Sequence, residues 1–393
     1  MGNGDFYGIW FLSRFSYESL HSEVYPLRLV RYDEGEGTDF HEKGFVGHMS
    51  EIADRQHAMI HSKSSFAGQR PFRRNEHPEA QWFGDGSMGL FVHWGLSSVS
   101  AKVDLSWGMI ADTPWDTDPE RKMMPEAYFA LAERFRPRAY DPDAWLKAAS
   151  DAGFRYAVLT TKHHDGFALW PSRHGDFHTG RFADAADYVR PYIEACRKYG
   201  LKVGLYYSPP DWYFQRHEMS FRFQSKGTPE SPHYGLRHEP IDLAPPSAER
   251  IEAHKKHIRG QIEELLTNYG TIDLLWFDGG PEALSIEDIR AMQPSIVVNS
   301  RMHGYGDYET PERTMPERAP DGWWELCDIW PEGSGWGYTE PHRYQPTEWV
   351  LSRWAQVKAL GGNYLINVAP NADGELPPEY YERIRELGAA LRG

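Results

Sequence analysis

Asp278 closes the run Ile272-Asp273-Leu274-Leu275-Trp276-Phe277-Asp278-Gly279-Gly280, in which an apolar stretch that must be buried delivers one carboxylate against two glycines. A short apolar run bounded by glycine reads as a parallel strand covered on both faces. At the carboxyl end of a barrel strand such a group is placed for chemistry, and the glycines would let a ligand approach the backbone. The same pattern also suits a turn or helix-capping aspartate. A second strand end of the same design runs from Phe154 through Thr161 into Lys162-His163-His164-Asp165-Gly166-Phe167. A third, Leu90-Phe91-Val92-His93-Trp94-Gly95, presents another imidazole, and a fourth, Val203-Gly204-Leu205-Tyr206-Tyr207-Ser208, ends in hydroxyls. Polar groups converging from several strand ends make a pocket. A metal reading of His163 and His164 is poor, because neighbours on a strand point to opposite faces.

The elements that must position these residues alternate from about Trp82 onward. Strands are expected at 88–94, 155–162, 202–208, 272–278, 295–300, 325–330 and 363–369, and helices at 125–135, 187–199, 247–269, 285–293, 346–360 and 377–391. That alternation gives a parallel sheet with crossover helices, hence an α/β fold. A TIM-like (β/α) barrel is preferred to a doubly wound sheet. Candidate residues sit on at least five strand ends, whereas a doubly wound sheet gathers them at one switch point. Seven strands are clear, so the barrel is irregular or hides an eighth. Residues 209–245 form a long insert rich in proline and aromatics, a length that points to a loop covering a site.

The chain has 393 residues, 40% of them hydrophobic, enough for one large barrel, or for a barrel with a small appendage. A formal net charge of −15 argues against nucleic acid or an anionic membrane surface as a partner. Fifteen Trp, 22 Tyr and 19 Phe are a high load: flat rings bury apolar sugar faces while hydroxyls and imidazoles bond the edges, and many of these residues will simply be core. Cys196 and Cys327, far apart, define no disulfide framework. The N-terminus lacks a basic and apolar leader, and no run of about 18 apolar residues occurs, so a cytoplasmic protein is expected. Residues 1–75 are charge-rich and weakly periodic and are expected to be a partly disordered extension, with 76–393 the catalytic barrel. The spacing of His48, His57 and His61 in that extension matches no standard metal-ligand set.

Eight motifs in order resemble glycoside hydrolase family 29, the retaining α-L-fucosidases. They are Trp82-Phe83 with Met88-Gly-Leu-Phe-Val-His93-Trp-Gly, Tyr156-Ala-Val-Leu-Thr-Thr-Lys-His163-His164-Asp-Gly-Phe, Gly204-Leu-Tyr-Tyr-Ser, Leu274-Leu-Trp-Phe-Asp278-Gly, Val298-Asn299-Ser-Arg301, Trp324-Glu325, Trp336-Gly-Tyr and Gly362-Asn-Tyr-Leu-Ile-Asn-Val. The resemblance spans roughly Trp82 to Gly393. It implies a barrel with no metal and no cofactor, a fucosylated oligosaccharide or glycoconjugate as substrate, and Asp278 as the nucleophile. A second, protonated carboxyl is then needed about 5–5.5 Å away. Glu325 matches the family's Trp-Glu motif and is the expected acid/base, with Glu309 and Glu312 as rivals. His93, His163 and His164, with Tyr206 and Tyr207, match sugar-hydroxyl contacts. Arg301 would place a cationic fork near the nucleophile or a hydroxyl, and Trp107 and Trp336 would wall the pocket.

Two departures stand out. Many members carry Gly-Glu-Trp where this chain has Leu105-Ser106-Trp107, which bears on specificity at C4 and C6 of the sugar. The chain ends at Gly393, directly after the terminal helix, so no C-terminal β-sandwich is expected. The alternatives are an α-L-galactosidase or α-L-glucosidase in the same barrel, a non-catalytic carbohydrate-binding relative, and a metal-dependent barrel hydrolase.

Overall fold

The computed structural model describes residues 73–302, 306–333 and 335–392. The expected extension, including His48, His57 and His61, lies outside the described residues except for 73–75. Of these, Asn75 is buried and docked on the barrel, its amide donating to the carbonyls of Pro294 and Ile296 at 2.9 and 2.8 Å.

Ten strands occur: β1 Met88–Val92, β2 Tyr156–Lys162, β3 Lys202–Tyr207, β4 His233–Tyr234, β5 Pro240–Ile241, β6 Leu274–Phe277, β7 Val297–Val298, β8 Tyr308–Glu309, β9 Trp323–Ile329 and β10 Asn363–Val368. Eight form one sheet in the order β7-β6-β3-β2-β1-β10-β9-β8, parallel throughout. A parallel bridge between Asn299 and Tyr308 joins its two edges, with the Ser300 N–H donating to the Tyr308 carbonyl at 2.9 Å. The result is the expected TIM-like barrel. The eighth strand is β8, whose two residues carry no apolar run to announce it.

Because successive strand residues alternate in direction, the strands build two cores. Phe91, Tyr156, Val158, Tyr206, Leu274, Trp276, Val297, Cys327 and Leu365 fill the barrel. Phe83, from the 3₁₀ segment Pro78–Asp85, packs on Tyr156, Tyr308 and Trp323 and so plugs the amino ends of β2, β8 and β9. Their neighbours Leu90, Ala157, Leu205, Leu275 and Ile366 face the helices instead. The expected helices form at Pro125–Phe129, Val189–Lys198, Ala248–Thr267, Ile286–Met292, Thr347–Ala359 and Pro378–Arg392. Three were not anticipated: the short Ser97–Ser100 and Thr179–Phe182, and Pro142–Asp151, which Asp141 caps by accepting from the Ala144 N–H and which has Pro at its first turn. No helix among the described residues is long and apolar enough to cross a membrane.

The insert holds the β4–β5 pair and is anchored at its start. Asp211 lies 3.0 Å from both Lys162 Nζ and His257 Nε2, with Asp211 and Lys162 buried and His257 partly so. Burial alone would raise the Asp211 pKa, but these two partners hold it below the usual carboxylate range. Gly166 makes room for this anchor: its φ is +88°, and a Cβ there would meet the Asp211 carboxylate.

Candidate active site

Asp278 follows the last residue of β6, and its position is fixed from both sides. Its N–H donates to the Tyr207 carbonyl at 3.2 Å. On the other side β7 is only two residues long, so the Asn299 side chain continues the ladder: it accepts from the Phe277 N–H and donates to the Phe277 carbonyl, each at 2.9 Å. Gly279 is required at φ +103°, and a Cβ there would press on Pro210 of the insert at 3.0 Å. The space that the sequence left open for a ligand beside this glycine is taken by the chain itself.

Around the carboxylate, Tyr206 donates its hydroxyl to Asp278 Oδ2 at 2.8 Å, and Arg301 NH1 lies 3.1 Å from Oδ1. Burial first, and then the charge of Asp278, raise the Tyr206 pKa well above its ordinary value, so the phenol keeps its proton. Arg301 is shared. Its NH2 reaches Glu312 Oε2 at 2.7 Å, its Nε donates to Thr310 Oγ1 at 3.0 Å, and its guanidinium lies 4.6 Å from the centre of the Trp276 ring. One planar fork thus joins two carboxylates and rests on an indole.

These groups line a pocket of roughly 300 Å³, walled by Phe91, Leu105, Trp107, Trp276, Cys327 and Trp336, with His93, His163, Tyr206, Asp278, Arg301 and Glu312 as its polar members. The imidazoles are neutral, because burial lowers His93 and His164 to about 4 and His163 well below its ordinary value. Asn367 fixes one tautomer. Its amide donates to the Trp336 carbonyl at 2.8 Å, so its oxygen accepts from His93 Nδ1 at 2.6 Å and leaves Nε2 as an acceptor. Ser208 fixes another: its hydroxyl donates to the Pro210 carbonyl and accepts from His164 Nδ1 at 2.5 Å.

Several expectations need correction. Glu325 is fully buried one layer beneath the pocket, its oxygens taken by the Tyr156 hydroxyl at 2.5 Å and the Trp276 indole N–H at 3.0 Å. It is paired in register with Asn363, the first residue of β10, at the amino end of the barrel. The pocket's second carboxyl is Glu312; Glu309 is instead bonded by the Ser300 hydroxyl. Tyr207 faces outward and donates to Gln261 at 2.8 Å, as alternation after Tyr206 demands. His163 and His164 do not diverge, because β2 ends at Lys162; their rings lie 4.3 Å apart. His164 sits behind the wall, 3.5 Å from Asp278 Oδ2. Ser106 makes no wall either. It is wholly buried, with its hydroxyl 2.5 Å from His163 Nδ1.

Nitrogen atoms of His163 and His164 and an oxygen of Asp278 lie within 4.8 Å of one another, the one cluster of this kind among the described residues. The charge that a cation would bring to that carboxylate is already supplied by Arg301.

The α-L-fucosidase family model matches residues 57–393. The chain belongs to the α-L-fucosidase family. The tissue α-L-fucosidase of Bos taurus is 30% identical over 346 residues, covering 80% of this chain and 67% of that one, and the Homo sapiens protein is 28% identical over 347 residues, with 80% and 68% covered. Among solved structures, α-L-fucosidase isoenzyme 1 from Paenibacillus thiaminolyticus superposes with a TM-score of 0.63 at 32% identity, covering 80% of this chain and 75% of that one. Thermotoga maritima α-fucosidase gives 0.62 at 28%, covering 81% and 74%. Within the family frame, the Val298-Asn299-Ser300-Arg301 motif acquires a function for most of its length. Asn299 registers β6, Ser300 holds Glu309, and Arg301 joins the two pocket carboxylates.

Proposed function

We propose that this protein is a retaining, exo-acting α-L-fucosidase in which Asp278 is the nucleophile and Glu312, rather than Glu325, the acid/base. The observation that carries the assignment is the Arg301 bridge, which ties two pocket carboxylates to one guanidinium, at 3.1 and 2.7 Å, and so supplies the carboxyl pair that a double displacement uses. The pocket's lining supports the sugar assignment, since aromatic walls with a few converging polar groups suit a terminal sugar. A fold neighbour from Bacteroides thetaiotaomicron has been trapped as a covalent intermediate with 2-fluoro-fucosyl fluoride.

In the first step Asp278 attacks the anomeric carbon, the glycosidic C–O bond breaks, and Glu312 gives its proton to the departing oxygen. The ion pair of Glu312 with Arg301 opens as the aglycone oxygen enters, because a carboxyl delivering a proton cannot also serve as the counter-ion. In the second step Glu312 takes a proton from water, the hydroxide attacks the same carbon, and Asp278 leaves. Two inversions give net retention. His93 Nε2 accepts from a sugar hydroxyl, while Trp107, Leu105 and Trp336 cover the apolar face carrying the C6 methyl.

The test is hydrolysis of 4-nitrophenyl α-L-fucoside, α-L-galactoside, α-L-glucoside and β-D-galactoside, followed by proton NMR on the substrate that turns over. The α-L-fucoside is expected to be preferred, with the α-anomer of the product appearing first. Preference for another glycoside, or an initial β-anomer, overturns the reading.

A further inference from the structure

Glu325 combines two features that its expected role does not explain: it is a buried carboxylic group beneath the pocket, and both its oxygens are occupied by donors from other strands. It points inward like Cys327, two residues on, which forms part of the pocket wall. Trp276, its partner, is also a wall residue and makes two further contacts. Its ring stacks on Tyr206 at 5.5 Å with an 18° interplanar angle, and it carries the Arg301 guanidinium. Tyr206 and Arg301 are the two groups that bond Asp278. A single indole, packed also on Phe91 at 5.2 Å, therefore underlies both partners of the nucleophile, and its N–H is held from below by Glu325.

We propose that Glu325 is a positioning residue, which locks the Trp276 ring through its N–H and thereby aligns Tyr206 and Arg301 on Asp278. This inference rests on the α-L-fucosidase reading above. The groups facing Glu325 are the Tyr156 phenol from β2, the Trp276 indole from β6, the Tyr308 phenol from β8, Cys327 on its own strand, and the more distant Arg301. Glu325 itself is fully buried, does not line the pocket and has both oxygens bonded by strand donors, so its carboxyl does not face the substrate.

The experiment compares full-length wild type with Glu325→Gln, Glu325→Leu and Glu312→Gln on 4-nitrophenyl and methyl α-L-fucoside, with and without azide. If wild type hydrolyses neither glycoside, the parent reading fails irrespective of Glu325. With an active wild type, Glu325→Gln is expected to stay within about threefold on both substrates, because its amide oxygen still accepts from the indole. Glu325→Leu is expected to lose about ten- to a hundredfold in kcat, equally on both substrates and without azide rescue, with KM little changed. Selective loss on methyl fucoside with azide rescue in Glu325→Gln would make Glu325 the proton donor, and wild-type kinetics in a folded Glu325→Leu would leave it without a role; either overturns the proposal. Should Glu325→Leu not fold, Trp276→Phe, which keeps a stacking ring but deletes the N–H, has to reproduce the loss in kcat. Wild-type kcat there overturns the proposal too.

Discussion

Replacing Arg301 tests the core of the site, because this side chain is about 5% exposed and carries ion pairs to both pocket carboxylates. Arg301→Ala removes one partner from two nearly buried pairs, a change that typically costs about 3–5 kcal/mol. Referred to the transition state, that is a loss of roughly 10²- to 5 × 10³-fold in kcat/KM. Arg301→Lys is expected to fall between, since a single ammonium cannot span Asp278 and Glu312 as the planar fork does. The assay is kcat/KM on 4-nitrophenyl α-L-fucoside for all three proteins, with thermal midpoints measured alongside. If folded Arg301→Ala remains within threefold of wild type, the bridge does not organise the chemistry.

Asp278→Ala is expected to abolish turnover while the fold persists, and azide should restore part of the rate on an aryl fucoside with the β-fucosyl azide as product; substantial unassisted turnover would remove Asp278 from its role. Asn367→Leu frees His93 Nδ1 and the Trp336 carbonyl together, so kcat/KM should drop by about tenfold or more, and unchanged kinetics would show that neither contact matters. His93 and His164, held neutral to about pH 4 against an ordinary 6.5, contribute stability that is present above pH 6.5 and lost as the pH falls toward 4; a thermal midpoint flat across that window would contradict their burial. Glu325 has the opposite sign. Burial raises it to about 7, so the folded state binds its proton more tightly and stability declines as the pH climbs from the ordinary carboxylate range to 7, by about 3 kcal/mol. Glu325→Gln should flatten that decline, and parallel stability curves for the two proteins would refute it.

The parts of the site legible in the sequence are those that regular elements impose. Asp278 was readable because a strand that must be buried has only one place to put a carboxylate, and His93 and Tyr206 for the same reason. Arg301 and the two tryptophans came from motif order, not periodicity. Glu325 misled because a motif says that a residue is needed without saying at which depth; the pairing of Glu325 with Asn363, which places it at the wrong end of the barrel, emerges only when strands are registered. Glu312 carried no local signal, since it follows a two-residue strand and owes its place to Arg301, far from it in the periodic pattern. Ser106 stood in the sequence as a position bearing on specificity at C4 and C6 of the sugar, but a residue's reach depends on where its loop folds, and this one folds against His163.

The two carboxylates are supported very unequally. Asp278 is registered by interior strands of the barrel, through the Tyr207 carbonyl and the Asn299 side chain. Glu312 hangs from the seam where the barrel closes, tied down by one bridge to Cys327 and by the guanidinium. In the resting protein the gap between them thus depends on an ion pair at one end and on strand registration at the other.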